Sequence, residues 1–150
     1  MSVRAILNTD GGARGNPGPA GIGVVLRTAD GKVIEEIGRG IGEATNNVAE
    51  YAAIIAGLEL ALKHGVTDLE ILIDSELVAA QLEGRWKIKN DRLRALAVSA
   101  RSLISRFDSV TISHVRRTQN TRADRLANVG MDESMVMGSG GAPGQSSLLE

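Results

Sequence analysis

The sequence predicts an α/β fold built on a five-stranded mixed sheet, and three observations lead to it. Residues 21–27 and 32–42 flank an Asp-Gly turn at residues 29–31, which is typical of a β-hairpin. The short apolar run at residues 69–73 resembles a strand buried on both faces, as in a parallel sheet. The predicted order is β-β-β-α-β-α-α-β-α, in which helical crossovers connect the later strands.

The N-terminal half reads as three antiparallel strands followed by a helix. Residues 3–9 alternate as a strand does, and a loop rich in glycine and proline follows at residues 11–18. The hairpin strands carry several glycines, which predicts bulges or close backbone contacts. Residues 45–47 offer N-capping side chains for a helix that ends near His64, and Gly65 is its predicted C-terminal stop.

The C-terminal half alternates helices with one strand. A short helix is predicted at residues 76–82, and a basic connection with the only tryptophan occupies residues 83–90. Asp91 can cap a helix that runs to about residue 107. A β-branched strand at residues 110–115 and a short helix from about Thr121 complete the order.

Composition limits the function. The chain has 150 residues, no cysteine, 2% aromatic residues and a net charge of −1. A length of this kind fits one domain, predicted at residues 1–132, with a Gly/Ser-rich disordered tail at residues 138–150. Disulfides and aromatic base-stacking platforms are excluded. No apolar run is long enough to cross a membrane, so we expect no membrane partner and a cytoplasmic location.

Four acidic residues are the strongest functional signal. Asp10 and Asp74 each end an apolar strand, Glu50 lies early in a helix, and Asp124 begins the last helix. Carboxylates at such positions can converge on one edge of a sheet, where their charges repel unless a cation is bound. Mg²⁺ prefers oxygen ligands, so the pattern indicates a magnesium site and phosphoryl-transfer chemistry.

These residues lie in four motifs, and together the motifs resemble type 1 ribonuclease H over residues 3–130. The motifs are TDGGARGNPGPAGIGVVL, TNNVAEYAAIIAGLELAL, ILIDSELV and RADRLAN. The resemblance implies the RNase H fold, with strand order 3-2-1-4-5 and helices on both faces of the sheet. It also implies an endoribonuclease that cleaves the RNA strand of RNA–DNA hybrids and leaves 5′-phosphate and 3′-hydroxyl ends.

By the same resemblance, Asp10, Glu50, Asp74 and Asp124 match the family's catalytic, metal-binding carboxylates. Two Mg²⁺ or Mn²⁺ ions about 3.5–4 Å apart would be held when substrate is bound. One ion would activate water and the other would stabilise the leaving oxygen, so no protein nucleophile is needed.

The glycine-rich loop is the first predicted substrate contact. Backbone near Gly12 and Ala13 can sense the 2′-hydroxyl that distinguishes RNA from DNA. Arg14 belongs to the same loop, and Asn16 matches a family position that contacts the hybrid in its minor groove. The predicted partner is an RNA–DNA hybrid, double-stranded RNA stays open as a second substrate, and the chain is expected to be a monomer.

A second set of substrate contacts is implied near the first helix. Asn46 and Asn47 match minor-groove positions, although capping of the helix is an equally weighted role for both. Thr45 matches a residue that lines a pocket for a DNA-strand phosphate. Glu76 stands where some relatives carry a glutamine that bonds the RNA.

The chain departs from familiar bacterial members of the family in two places. Only residues 83–90 occupy the space of a long basic protrusion, which is typical of a compact subgroup and predicts a weaker grip on substrate. The loop before Asp124 lacks the usual histidine. Arg117 is the candidate for an electrostatic role there, and His114 is the alternative.

Two other functions stay open from the sequence. One is a catalytically weak module of the same fold that binds hybrid or double-stranded RNA. The other is a different nuclease of this fold, such as a junction resolvase, although the GNPGPAG loop and the TNN segment favour ribonuclease H.

Overall fold

The computed structural model describes residues 1–140, which form a five-stranded sheet in the order β3-β2-β1-β4-β5. The strands are β1 (Arg4–Ala13), β2 (Gly18–Thr28), β3 (Val33–Ala44), β4 (Asp68–Ile73) and β5 (Ser109–His114). The helices are α1 (Asn46–Lys63), α2 (Glu76–Leu82), α3 (Asp91–Ile104) and α4 (Thr121–Gly140), with a 3₁₀ turn at Arg117–Gln119. β1, β2 and β3 pair antiparallel, whereas β4 is parallel to β1 and β5 to β4. The predicted fold class and strand order are confirmed.

β1 and β2 are longer than predicted, because the glycine-rich segment is largely strand. Gly11 and Gly12 pair with Ile22 and Gly21 of β2, so the connecting loop spans only residues 14–17. A Cβ at Gly11 would lie 2.2 Å from the backbone oxygen of Ala49 in α1. Glycine is therefore needed here for helix–sheet contact rather than for a loop conformation.

α1 begins and ends as its capping residues predict. The Thr45 hydroxyl accepts from the backbone N–H of Val48, and Gly65 adopts a φ of +74° just after the helix. The buried face of α1 packs on the sheet, where Gly57 lies against Leu7 of β1. α1 and α3 cover one face of the sheet, and this layer holds most of the buried apolar side chains.

α4 covers the other face and is much longer than the short helix predicted. Glycines of β2 and β3 let it approach the sheet backbone closely: a Cβ at Gly21 would meet the backbone oxygen of Ala127 at 2.4 Å. The buried Ser134 hydroxyl donates to Ala20 O at 2.6 Å and accepts from Gly42 N–H at 3.1 Å. These contacts extend the helix to Gly140, into the first three residues of the predicted tail at 138–150. The rest of that tail, residues 141–150, lies outside the described part of the chain.

The end of α3 also differs slightly from expectation. α3 ends at Ile104 rather than near residue 107, and Phe107 is buried in the turn that follows. Among residues 1–140, no helix has the length and apolar character needed to cross a bilayer.

Candidate active site

Three of the four predicted carboxylates meet at one edge of the sheet. Asp10 lies in β1 opposite Gly23, Asp74 follows the last residue of β4, and Glu50 lies in the second turn of α1. One carboxylate oxygen from each of the three lies within 4.8 Å of the other two. Because β1 and β4 are parallel neighbours, the residues near their C-terminal ends reach the same edge, where α1 adds the third carboxylate.

The fourth carboxylate, Asp124, lies beside this cluster. It belongs to the first turn of α4, where its backbone N–H donates to Asn120 O at 3.0 Å. Its side chain lies close enough to Asp10 to add to the rise in the pKa of Asp10, after burial and the charge of Asp74. The structure therefore brings together all four residues that the sequence singles out.

The crowding of these groups favours their protonated forms. Burial is the main cause that raises the pKa of Asp10, and the negative charge of Asp74 adds to it. Burial and then the charge of Asp74 raise the pKa of Glu50 to about 7, against opposing effects of a Ser75 hydrogen bond and the Arg117 charge. A bound divalent cation would offset this repulsion, and an all-oxygen donor set fits Mg²⁺ or Mn²⁺.

The metal-free protein is expected to lose stability as pH rises from about 5 to 8. Glu50 and Asp10 titrate near pH 4 when the chain is unfolded but at higher pH when it is folded, so the folded state binds more protons in this range. The derivative of the unfolding free energy with pH is then negative. Urea unfolding at pH 5, 6, 7 and 8 with a chelator present measures it.

Magnesium should reverse that trend, with a stabilisation that grows towards pH 8 as protons cease to compete for the carboxylates. Carboxyls whose pKa is lowered in the folded chain, such as Glu36 beside Arg122, add stability that is lost only in acid, so they do not change the trend above pH 5. A metal-free stability that rises between pH 5 and 8 would contradict the assigned crowding.

Arg117 and His114 both lie at the rim of the cluster, in different relations to it. Arg117 opens the 3₁₀ turn before α4 and is close enough for its charge to lower the pKa of Glu50. The Nε2 atom of His114 lies 3.2 Å from the backbone oxygen of Asp74, to which it donates in the Nε2–H tautomer. The charge of Arg117 therefore acts on the carboxylate of Glu50, whereas His114 contacts only the backbone of Asp74.

The predicted substrate loop is joined to the start of α1. The Ala13 N–H donates to Asn46 Oδ1 at 2.8 Å, and the Asn46 N–H donates to Asn16 Oδ1 at 3.1 Å. Thr45 caps the helix, so the expected capping role of Asn46 is replaced by this loop contact. Gly12, on the same strand, has the Met131 side chain as its nearest neighbour from α4.

Two other predicted substrate residues are placed differently. The Arg14 guanidinium bonds Asp132 and also lies 3.4 Å from Asn128 Oδ1, so it ties the loop to α4. Any contact of Arg14 with substrate would compete with these bonds. Glu76 lies in the first turn of α2, two residues after Asp74, and is exposed.

Sequence reasoning missed residues of α3 that join the predicted phosphate pocket. A cavity of about 610 Å³ opens beside Thr45, and Asn16 and Asn47 also line it. Asn90 and Arg92, at the start of α3, form its far wall. The sequence offered only a weak signal for them. The predicted cap Asp91 was wrong by one residue: Asn90 is the N-cap, with its side chain accepting from Leu93 N–H, and Asp91 is the first helical residue.

Sequence reasoning also missed Asn120. Its side-chain amide is 1% exposed and donates to Asp74 Oδ2 at 3.0 Å and to Thr9 O at 2.9 Å. In the sequence it is one polar residue in a polar segment, and nothing there distinguishes a buried amide from a solvated one.

Comparison with known proteins agrees with this geometry. A family model described as "Reverse transcriptase-like" matches residues 8–130. Ribonuclease H of Rhodospirillum rubrum is 36% identical over 161 aligned positions, which cover 98% of this chain and 93% of the relative. The chain belongs to the ribonuclease H family. The fold and the strand order agree with the type 1 members of that family.

Relatives of higher identity include larger proteins. The bifunctional protein Rv2228c of Mycobacterium tuberculosis is 50% identical over 131 residues, which cover 87% of this chain but only 36% of the relative. The solved N-terminal ribonuclease H domain of Rv2228c superposes with a TM-score of 0.89 at 49% identity, over 91% of this chain and 99% of that one. This chain thus spans about a third of the length of the mycobacterial relatives that it matches.

A second similar structure was solved with a nucleic acid. LC11-RNase H1 in complex with an RNA/DNA hybrid has a TM-score of 0.83 and 40% identity, over 87% of this chain and 99% of that one. That ribonuclease H holds its hybrid on the same fold.

Proposed function

We propose that this chain is a divalent-metal-dependent endoribonuclease that hydrolyses the RNA strand of RNA–DNA hybrids. The observation that carries the proposal is the convergence of Asp10, Glu50 and Asp74, with Asp124 beside them, next to a loop built for backbone contact. The hybrid complex of LC11-RNase H1 supports the choice of substrate. All four carboxylates come from one chain, so we propose that it acts as a monomer.

The carboxylates would hold two divalent cations, which supply Lewis-acid activation of water and charge stabilisation at the phosphate. The chain's own contribution is to fix the four acidic groups on rigid strands and helices. Water would attack phosphorus, the bond to the 3′ oxygen would break, and that oxygen would leave protonated, which gives 5′-phosphate and 3′-hydroxyl ends. Nothing in this sequence of steps requires a protein nucleophile.

Selection of the RNA strand would rest on backbone and amide groups beside the cluster. The Ala13 N–H is already committed to Asn46, so we assign 2′-hydroxyl recognition to Gly12 and to the Ala13 carbonyl. Asn16 Oδ1 accepts from the Asn46 N–H and Asn46 Oδ1 accepts from the Ala13 N–H, which leaves both side-chain NH₂ groups for the minor groove. Such contacts recognise the shape of a hybrid without reading its sequence.

The deciding experiment compares three labelled duplexes of one sequence: RNA–DNA hybrid, double-stranded RNA and double-stranded DNA. Cleavage of the hybrid's RNA strand that depends on Mg²⁺ or Mn²⁺ is expected, with no cleavage of DNA. Tight binding of hybrid without turnover in either metal would favour the catalytically weak module instead. Cleavage of double-stranded RNA at a comparable rate would widen the substrate class.

The cavity beside Thr45 is proposed to hold a phosphate of the DNA strand, with Arg92 as its cation. Arg92→Ala is expected to raise KM for the hybrid about three- to tenfold with little change in kcat, because a backbone contact positions the duplex away from the reacting phosphate. Binding should also release about one counterion fewer, so the slope of the logarithm of the binding constant against the logarithm of the salt concentration should become shallower by about one. Initial rates at several salt concentrations measure both effects.

Arg106→Ala is the matched control, since it removes the same charge just after the other end of α3. Equal changes in the two variants would show that Arg92 acts only through net charge and would remove the pocket assignment.

Arg117 is proposed to act electrostatically on the cluster. Arg117→Ala is expected to lower kcat about tenfold, and Arg117→Lys should restore much of the loss because the positive charge near Glu50 returns. Arg116→Ala removes a charge from the preceding exposed position and serves as control. A larger loss in His114→Ala than in Arg117→Ala would transfer the role to the histidine.

A further inference from the structure

A series of hydrogen bonds leads from Arg27 on β2 to the metal-site carboxylate Asp74. The Arg27 Nε and Nη2 atoms donate to Asn8 Oδ1 at 3.0 and 2.9 Å. Asn8 Nδ2 donates to Asn120 Oδ1 at 3.0 Å, and Asn120 Nδ2 donates to Asp74 Oδ2 at 3.0 Å. Asn8 is 6% exposed and Asn120 is 1% exposed, so both amides lie away from water.

Every bond in this series points towards Asp74, and two groups fix that direction: Arg27 orients Asn8, and the Thr9 carbonyl, which also accepts from Asn120 Nδ2 at 2.9 Å, supports the same orientation of Asn120. A guanidinium has donors and no acceptor, so Asn8 must turn its oxygen to Arg27 and its NH₂ to Asn120. Asn120 then has to accept on its oxygen, which leaves its NH₂ for Asp74. Aligned donors of this kind polarise one another in a low-dielectric interior.

We propose that Arg27, Asn8 and Asn120 are positioning residues, which together orient the Asp74 carboxylate for the cation. The inference rests on the proposed metal-dependent function. It concerns how one ligand is held, and none of the three residues contacts the substrate. The hydrogen bond from Asn120 to Asp74 Oδ2 restricts rotation of the Asp74 carboxylate and compensates part of its charge. Arg27, acting through Asn8, helps to hold that Asn120 N–H in this orientation. Partners of metal ligands that play this part typically contribute about 10–100-fold to metal affinity or activity.

The competing explanation is that the network only satisfies buried polar groups. Arg27→Met and Asn8→Asp separate the two explanations. Arg27→Met removes the donors that fix both amides. Asn8→Asp keeps the bond to Arg27 but has no NH₂ for Asn120, so the Asn120 oxygen loses its donor and faces a carboxylate instead.

The signs of the two effects in Asn8→Asp are opposite. Added negative charge near the site should by itself tighten cation binding, whereas loss of the hydrogen bond that holds the Asn120 oxygen should weaken it. Arg122→Met is the matched control for Arg27→Met, because both arginines line one cavity of about 270 Å³ and Arg122 bonds the surface carboxylate of Glu36 instead. Arg27→Lys tests rescue.

The experiment is a Mg²⁺ titration of the full chain without substrate, followed by the amide shifts of Asp10, Glu50 and Asp74 in ¹H–¹⁵N correlation spectra. Urea unfolding of each variant is measured in parallel, so that loss of fold is not mistaken for loss of affinity. We expect about tenfold weaker Mg²⁺ binding in Arg27→Met and Asn8→Asp, a loss of less than about threefold in Arg27→Lys, and a change within about twofold in Arg122→Met.

An unchanged affinity in Arg27→Met, an equal loss in Arg122→Met, or tighter binding in Asn8→Asp would each overturn the positioning role while leaving the metal site intact. Absence of Mg²⁺-dependent shifts in the unmodified chain would be a different result. It would overturn the metal site of the proposed function, and this inference with it.

Discussion

Asp10→Asn should abolish cleavage of the hybrid, by about 10³-fold or more, and at the same time make the metal-free protein more stable. Asp10 is in contact with Asp124 and within reach of Glu50 and Asp74, so its loss removes a shared ligand from the centre of the cluster. Loss of a single stabilising group at a reacting centre costs about 10²–10³-fold in rate, and a cation ligand should cost at least the upper value.

The stability gain has the same origin as the loss of activity. Burial and the Asp74 charge penalise the ionised form of Asp10, which is why the pKa of Asp10 is raised in the folded chain. A neutral amide of the same shape avoids that penalty. We expect the gain at pH 8 to be on the order of 1–3 kcal/mol, and to shrink towards pH 5, where Asp10 is already protonated.

The loss of activity and the gain in stability can both be measured on one preparation of the variant. Cleavage rates with Mg²⁺ and Mn²⁺ give the first, and urea unfolding with a chelator gives the second. Asp108→Asn, at an exposed site outside the cluster, is the control and should alter neither quantity appreciably. An Asp10→Asn variant that is inactive and also less stable without metal would contradict the repulsion on which the cation site is argued.

The acidic cluster was predictable because strand ends and helix starts are marked in the sequence. Asp10 and Asp74 each follow a strongly apolar strand, and Asp124 begins the helical pattern of α4. Once β1 and β4 are parallel neighbours, their ends must share an edge of the sheet. The order 3-2-1-4-5 itself came from family resemblance, since local pattern alone does not determine which strands pair.

What the sequence did not reveal depends on contacts between distant segments. The Asn120 amide is a positioning candidate only because Asn8 and Asp74 surround it, 112 and 46 residues away in the chain. Arg92 belongs to a cavity only because α3 begins beside Thr45. The close packing of α4 likewise depends on the glycines of β2 and β3. The sequence indicated a close contact at these glycines but not that α4 makes it.

Those glycines give the second large effect, a loss of stability in Gly23→Ala. A Cβ at Gly23 would lie 1.9 Å from the backbone oxygen of Ala123 and 2.7 Å from the backbone nitrogen of Ala127. Both are main-chain atoms of α4, which cannot give way as a side chain can. The helix must shift outwards, and overpacking of this kind costs about 1–3 kcal/mol, with the upper end expected for backbone contact.

The outward shift of α4 should also change the geometry of the active site. Gly23 pairs directly with Asp10, and Ala123 precedes Asp124, so a displaced α4 pulls Asp124 away from the cluster. Activity in Gly23→Ala should therefore fall even under conditions where the chain is fully folded. Gly38→Ala is the matched control: a Cβ there would meet the Leu126 side chain at 3.0 Å and the Leu126 backbone oxygen at 3.1 Å, which requires a shift of only tenths of an ångström, and Gly38 lies on β3 away from Asp10. Urea unfolding and hybrid cleavage should rank Gly23→Ala well below Gly38→Ala in both quantities, and equal losses would mean that α4 does not set the position of Asp124 through this contact.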